Sequence, residues 1–390
     1  MQYINTIFNQ LLTFLPKDKF NEFVGQHNGD RYVKYLNSWN HLVLLLYAQA
    51  SAKDSLRDIE TGFGLNQNLW YHLGVKSAKR SSLSDANNRR SYQIFEKLFY
   101  ELLKQCQKMA GNERKFEFEN PLYSFDSTTV NLCLGLFDWA KYRKTKGAIK
   151  IHVMLNNRTA IPELLTITDG KKADATIAKA INSKSLEKGS IIVFNRAYID
   201  YGWWRKLNQD GIFFVSRTKN SQNIFVVGQH NPNELKGKNI LADEKVIFGA
   251  FDEKYQGTLR RVRYYDEKSK RVFEYLTNNF ELSAQQIAFI YKERWQIELF
   301  FKWIKQNLKI KSFLGTSKNA VMSQIWTAMI YYLLLNYIKF QTKFKKSLLE
   351  FTRMIRETIL FRRNLIDLLS LNFQNIHKLA IIDSPQLTFL

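Results

Sequence analysis

Cysteine is nearly absent: Cys106 and Cys133 are the only two in 390 residues. They make no disulfide framework and no cysteine-based zinc site, so both are expected to be buried thiols in a reducing cytosol. Proline is scarce too, five in all, and no low-complexity linker or internal repeat is visible. Acidic residues number 35 against 58 lysines and arginines, leaving a formal net charge of +23. A surplus of that size describes partners and not fold. A polyphosphate backbone is the commonest partner for such a surface, because each cation that meets a phosphate releases counterions. An anionic membrane and ribosomal RNA are the alternatives. No long hydrophobic run is free of polar residues: the most apolar, 320–338, is interrupted by Ser323, Gln324, Thr327 and Asn336. It reads as a buried core helix and not a membrane span. The opening MQYINTIFNQLLTFLPKDKF lacks the basic start and small-residue cleavage site of a signal peptide, so a cytoplasmic protein without a membrane partner is expected.

What is present suffices for a large core, with 45% hydrophobic and 14% aromatic residues, and the length suits two or three domains. Apolar positions recur at helical spacing through HLVLLLYAQA and YQIFEKLFYELLKQC, so residues 1–115 are expected to be helical. Within them, KSAKRSSLSDANNRRSYQIF places Lys76, Lys79, Arg80, Arg89 and Arg90 beside a helix start at Ser84 or Asp85. Such a basic helix start either enters a DNA groove or is a solvated helix end. From about 120 the texture changes. PLYSFDSTTVNLCLG, AIKIHVML, IIVF and IFFVSRTK read as strands, with helices over ADATIAKAINSKSLEKG and IDYGWWRKLNQDG. That alternation indicates a mixed α/β core beginning at 116–219. Residues 220–280 read as a β-rich insertion with a hairpin across Asp266, Glu267 and Lys268. The core resumes as helix over 281–340, strongly so over 283–309, and 341–390 form a helical C-terminal region.

The segment IAFIYKERWQIELFFKWIKQNLKI is the most informative. On one continuous helix Tyr291, Arg294, Glu298, Lys302 and Lys305 fall within an arc of about 80°. Ile290, Ile297, Phe301, Ile304 and Leu308 make the adjacent stripe, and Trp295, Leu299 and Trp303 fill much of the rest. A helix apolar nearly all round is expected to be buried, which points the charged stripe at a charge-holding cavity. The plainer alternative is a solvent-facing row of i, i+4 ion pairs. Asp126 in SFDSTTV is a carboxylate inside a strand, costly unless edge-exposed or bound to a cation. Asn195, followed by Arg196, ends the buried strand of IIVFNRAYIDY, at the strand terminus where ligands of open α/β sheets collect.

Taken together, these residues resemble the insertion-sequence-four (IS-four) family of bacterial DDE transposases. Tyr291, Arg294, Glu298 and Lys305 match that family's signature spacing without departure. SFDSTTV resembles the segment of the first catalytic aspartate, which falls on Asp126. KGAIKIHVMLN and PELLTITDGKKADAT resemble connecting segments, and VFNRAYIDYGWW resembles a block usually reading Asp-Arg where this chain has Asn195 and Arg196. The likeness spans roughly residues 120–340. It implies an RNase H-like catalytic core with a β insertion, preceded by a DNA-binding region. The activity implied is cut-and-paste transposition: nicking at transposon ends, attack by the freed 3′-hydroxyl, excision through a hairpin and joining to target DNA. Asp126, the Asn195 position and Glu298 would hold two Mg²⁺ or Mn²⁺ ions that clamp the scissile phosphate. Tyr291, Arg294 and Lys305 would grip phosphates near the cut, with Arg196, Lys302, Arg89 and Arg90 as further DNA contacts. Pairing two transposon ends implies a homodimer on DNA, within the nucleoid. Trp203, Trp204 or an aromatic of the insertion either holds a flipped base or is simply buried.

Asn195 is the departure. Its amide oxygen can ligate Mg²⁺ only neutrally, so the ligand set falls from three negative charges to two. An Asp→Asn exchange that keeps shape and blocks cleavage would leave this pattern, and so would natural decay of the gene. Asp200 is the substitute ligand to consider, while Asp174 and His152 are expected to be structural. Two rivals share these residues: a structure-selective nuclease of the same core, and a non-catalytic DNA-binding regulator.

Overall fold

Helix starts in the N-terminal stretch are written in its capping residues. The computed structural model describes residues 5–76, 79–110, 115–143, 146–219, 222–231, 239–248 and 257–370. They divide into two units, 1–109 with 306–390, and 110–305. The first unit opens with α1 (Ile7–Leu12), α2 (Lys17–Gln26), α3 (Ser38–Ala50), α4 (Leu56–Gly64), α5 (Trp70–Leu73), α6 (Arg80–Arg89) and α7 (Gln93–Met109). Thr6, Asn37 and Ser55 cap α1, α3 and α4 by accepting the backbone N–H three residues on. The helix start expected at Ser84 or Asp85 is misplaced, for α6 runs through both. The break comes after Arg89, and α7 then buries Ile94, Leu98, Leu102 and Cys106 along one face. Cys133, expected to be buried, is exposed. It lies just past the last residue of a strand, beyond the strand's covered face.

The second unit is built on one ten-stranded mixed sheet. Its first strands are β1 (Leu122–Leu132), β2 (Lys141–Arg143), β3 (Lys146–Asn156), β4 (Pro162–Asp169), β5 (Ile191–Phe194) and β6 (Phe213–Arg217). β3 pairs antiparallel with β1 and β4, while β1, β5 and β6 run parallel. The order β4–β3–β1–β5–β6 is that of an RNase H-like sheet, as expected. α8 (Asp174–Ala180) and α9 (Tyr201–Gln209) lie in the two crossovers. Every residue of β5 is buried, as befits a central parallel strand covered on both faces.

The β-rich stretch continues that sheet. β7 (Ile224–Gln229), β8 (Ile240–Phe248), β9 (Leu259–Asp266) and β10 (Arg271–Thr277) follow, β10 pairing with β6 and the others extending outward. The expected hairpin is β9–β10. A fully buried ion pair fixes this extension: Arg260 Nε and Nη2 donate to the Asp243 carboxylate at 2.7 and 2.8 Å. Arg260→Ala would strand a buried carboxylate and should lower the unfolding free energy by about 3–5 kcal/mol. Urea denaturation measures this, and a decrease under about 1 kcal/mol would contradict it.

The helix expected over 283–309 is two: α10 (Ala284–Glu293), opened by a Ser283–Gln286 capping box, and α11 (Trp295–Asn307). Arg294 stands between them. α12 (Lys318–Thr342), α13 (Leu348–Thr358) and α14 (Leu365–Ser370) belong again to the first unit. α12, buried on nearly all sides, finds its cover on α3, α6 and α7. Among the described residues no helix is long and apolar enough to cross a membrane. The expectation of helix over 371–390 lies outside the described residues.

Candidate active site

Parallel β1 and β5 set Phe125 opposite Phe194, so the residues that follow, Asp126 and Asn195, come level where β5 ends. Asn195 caps the short turn Arg196–Tyr198, its Oδ1 accepting the Ala197 N–H at 2.7 Å. That bond fixes the orientation of the amide, leaving Nδ2 to donate to Asp126 Oδ1 at 2.9 Å. Arg294 supplies the third side of the site. Its Nη2 donates to Glu298 Oε1 at 2.5 Å and its Nη1 to Asp126 Oδ2 at 3.4 Å. The structure thus brings Asp126, Asn195 and Glu298 into one hydrogen-bonded cluster, joined by a guanidinium.

Burial pushes the Asp126 carboxyl up to about 6; the Ser127 N–H, Arg294 and the Asn195 amide pull it back, and Glu298 raises it. A buried carboxylate in that state calls for positive charge, and Arg294 shows that a single cationic group can reach both Asp126 and Glu298. The oxygen donors of these two suit a hard divalent ion. Among the described residues no group of three His, Cys, Asp or Glu side chains is placed to hold a metal. The cluster offers two carboxylates and an amide, one negative charge short of a three-carboxylate set.

Tyr291 stacks on Tyr275 at 4.8 Å, and the Arg294 guanidinium lies 5.7 Å from its ring centre. Both line a cavity of about 500 Å³ with Arg217, Phe273, Phe289 and Trp295. Lys302 is exposed and Lys305 half-buried on α11. Arg196 is exposed and lines a second cavity, of about 390 Å³, with Arg217, Lys219, Arg261 and Arg263. Arg89 is exposed on α6 in the first unit. Its neighbour Arg90 is a correction: only 6% exposed, it donates to Gly29 O at 3.2 Å and Leu36 O at 2.7 Å. A guanidinium satisfying two loop carbonyls from inside is not a surface DNA contact.

Several other expectations change. Trp203 and Trp204 are buried against Phe194 and Phe214, so neither offers a face to a base. Asp200 caps α9 through the Trp203 N–H at 2.9 Å and pairs with Lys179 at 2.7 Å, so its carboxylate is committed elsewhere. Asp174 accepts from Ser127 Oγ at 2.9 Å and Lys150 Nζ at 3.1 Å, with His152 beside it. All-round burial of the charged helix fails at Trp295 and Leu299, which are 55% and 42% exposed. Sequence reading missed Arg217. Val193 pairs with Val215, which puts Arg217 level with Asn195 on the next strand. The strand-end rule that singled out Asn195 would have found it in IFFVSRTK.

Two carboxylates, an amide and a guanidinium thus meet where the parallel strands of an RNase H-like sheet end. Residues 117–334 match the family model described as a transposase DDE domain, and residues 4–76 match a domain of unknown function, DUF4372. The chain is 34% identical over 286 residues to a Sinorhizobium fredii protein described as transposase y4zB, covering 73% of this chain and 78% of that one. It is 27% identical to a Geobacillus stearothermophilus protein described as the transposase for insertion sequence element IS5377, covering 69% and 70% of the two. A Synechocystis protein described as the transposase for insertion sequence element IS4SA is 26% identical, over 66% and 71%. The chain belongs to the DDE transposase family, enzymes that act on DNA and normally use divalent metal ions. The resemblance read from Tyr291, Arg294, Glu298 and Lys305 is thereby borne out.

Proposed function

We propose that the chain serves cut-and-paste movement of an insertion sequence, and that as written it binds transposon ends but cuts them poorly. The observation that carries this is the cluster of Asp126, Arg294 and Glu298 with the Asn195 amide hydrogen-bonded to it. Asp126 and Glu298 would hold Mg²⁺ or Mn²⁺ where they now hold the guanidinium. When bound, the metal supplies the positive charge that polarises the scissile phosphate and eases deprotonation of the attacking hydroxyl. The rest falls to the chain's own groups. Arg294, released from the carboxylates, grips a phosphate together with Tyr291 and Lys305, and Arg196 and Lys302 align the strand. The full course is nicking at terminal inverted repeats, hairpin excision and joining to target DNA, by a homodimer whose residues 1–115 bind DNA. The Asn195–Asp126 hydrogen bond also favours a second reading, a non-catalytic regulator, because with Arg294 it satisfies Asp126 from within the chain.

Arg294→Ala and Lys305→Ala test the phosphate grip, in a chain that also carries Asn195→Asp. Removing one cation that neutralises a phosphate should reduce the magnitude of the log K against log salt slope by about 0.9 on duplex DNA. Misalignment should lower cleavage on the order of a hundredfold without raising the metal concentration for half-maximal rate. An unchanged salt slope with a strongly raised metal requirement would mean that these cations orient Glu298 and do not touch DNA.

A further inference from the structure

The loop joining α2 to α3, residues 27–37, is tied down from beneath and bare above. Arg90 holds the carbonyls of Gly29 and Leu36 from inside. Asp30 accepts from the Ser38 N–H at 2.6 Å and hydroxyl at 2.8 Å. Asn40 Nδ2 donates to Tyr35 O at 3.2 Å. At Gly29 an added Cβ would stand 2.6 Å from Ile94 Cδ1, so the backbone there is pressed against α7. A frame this well anchored should hold aromatic rings inward, yet Tyr32 is 87% exposed and Tyr35 71%. Tyr32 moreover holds φ at +60°, a conformation a bulky side chain adopts only where its surroundings impose it.

Cations outnumber carboxylates beside these rings. The Arg31 guanidinium lies 4.9 Å from the Tyr32 ring centre and donates to its hydroxyl at 3.1 Å. Lys34 is exposed, and so is Arg89, which lines a cavity of about 610 Å³ shared with the loop. Among the described residues none of Arg31, Lys34 and Arg89 is ion-paired. Two carboxylates lie nearby and are engaged or outnumbered: Asp85 lines the same cavity, and Asp30, itself exposed, is held by Ser38 and lies 3.6 Å from Arg90. A partner for this surface needs both flat faces for the rings and negative charge for the cations. A DNA strand meets both needs, with phosphates for the cations and base or sugar faces for the rings.

We propose that residues 30–35, together with Arg89, form a DNA-contacting surface, which gives the DUF4372 region a task. The proposal rests on DNA as the substrate of the reading above, and not on the carboxylate cluster. The test uses the full chain and fluorescence anisotropy with a labelled duplex taken from the sequence bordering the gene. The triple change Arg31→Gln, Lys34→Gln and Arg89→Gln should reduce the salt slope by about 0.9 per cation removed, up to about 2.7 in all. Tyr32→Ala with Tyr35→Ala should raise Kd on the order of tenfold or more and leave the slope unchanged. Tyr32→Asn, which tolerates positive φ, should weaken binding as Tyr32→Ala does, separating removal of the ring from a deformed loop. Lys104→Gln, on an exposed lysine of the same unit, should change nothing. Unaltered binding in the loop variants, or a weakening matched by Lys104→Gln, would overturn the proposal. If Asn195→Asp fails to cleave while the loop variants still bind more weakly, only the catalytic reading fails. Restored cleavage with unaltered loop variants would fail only this one.

Discussion

Exchanging Asn195 for Asp should raise Mg²⁺- or Mn²⁺-dependent nicking of labelled transposon-end DNA on the order of a hundredfold or more. The Asn195 amide, 2.9 Å from Oδ1, now shares Asp126 with the Ser127 N–H and Arg294. With aspartate at position 195, an anionic oxygen replaces the side-chain N–H, and two like charges meet at hydrogen-bond distance. At an effective dielectric of about 20 their repulsion is several kcal/mol, relieved only by a proton or a cation. The exchange therefore turns a self-satisfied pair into one that demands a metal. Thermal unfolding gives a companion readout: without metal the variant should melt below the chain as written, and Mn²⁺ should restore it. Full nicking activity in the Asn195 form, or none after the exchange, would mean that the second ligand has been misplaced.

Removing Glu298 has the next largest expected effect. In the Asn195→Asp background, Glu298→Ala should lower cleavage on the order of a thousandfold, because it deletes a metal ligand. Binding to transposon ends should survive. Arg294 loses its 2.5 Å partner and becomes freer to meet phosphate. Gel shift and nicking on the same preparations separate the two properties. If Glu298→Ala instead unfolds the protein while the folded fraction still cuts, Arg294 and Glu298 are an ordinary ion pair of a helix face.

How far these residues could be found without coordinates differs from one to the next. Asp126 was legible because a lone carboxylate within an apolar strand needs a compensating charge, and the structure places one beside it in Arg294. Glu298 was legible through spacing along a single segment. Arg217 could have been found by the same strand-end rule applied to IFFVSRTK, but that it comes level with Asn195 depends on strand register, which local pattern does not show. Arg89 and Arg90 make the same point at closer range. Adjacent and identical in type, one faces solvent and the other is drawn in by a loop folding over it. The interruption of the charged helix at Arg294 carries no proline or glycine to announce it, yet it sets the guanidinium between two carboxylates. The cover of α12 was hidden for a related reason: a helix with apolar residues on nearly every side does not say whether sheet or helices will pack against it.

Metal binding itself, read apart from catalysis, tests the proposed centre most directly. Mn²⁺ titration calorimetry would compare the chain as written, Asn195→Asp, and Asn195→Asp combined with Asp126→Asn. The added carboxylate should tighten Mn²⁺ binding on the order of tenfold or more, and replacing Asp126 should cancel that improvement. Equal Mn²⁺ affinities in all three proteins would contradict the assignment of Asp126, Asn195 and Glu298 as the metal centre.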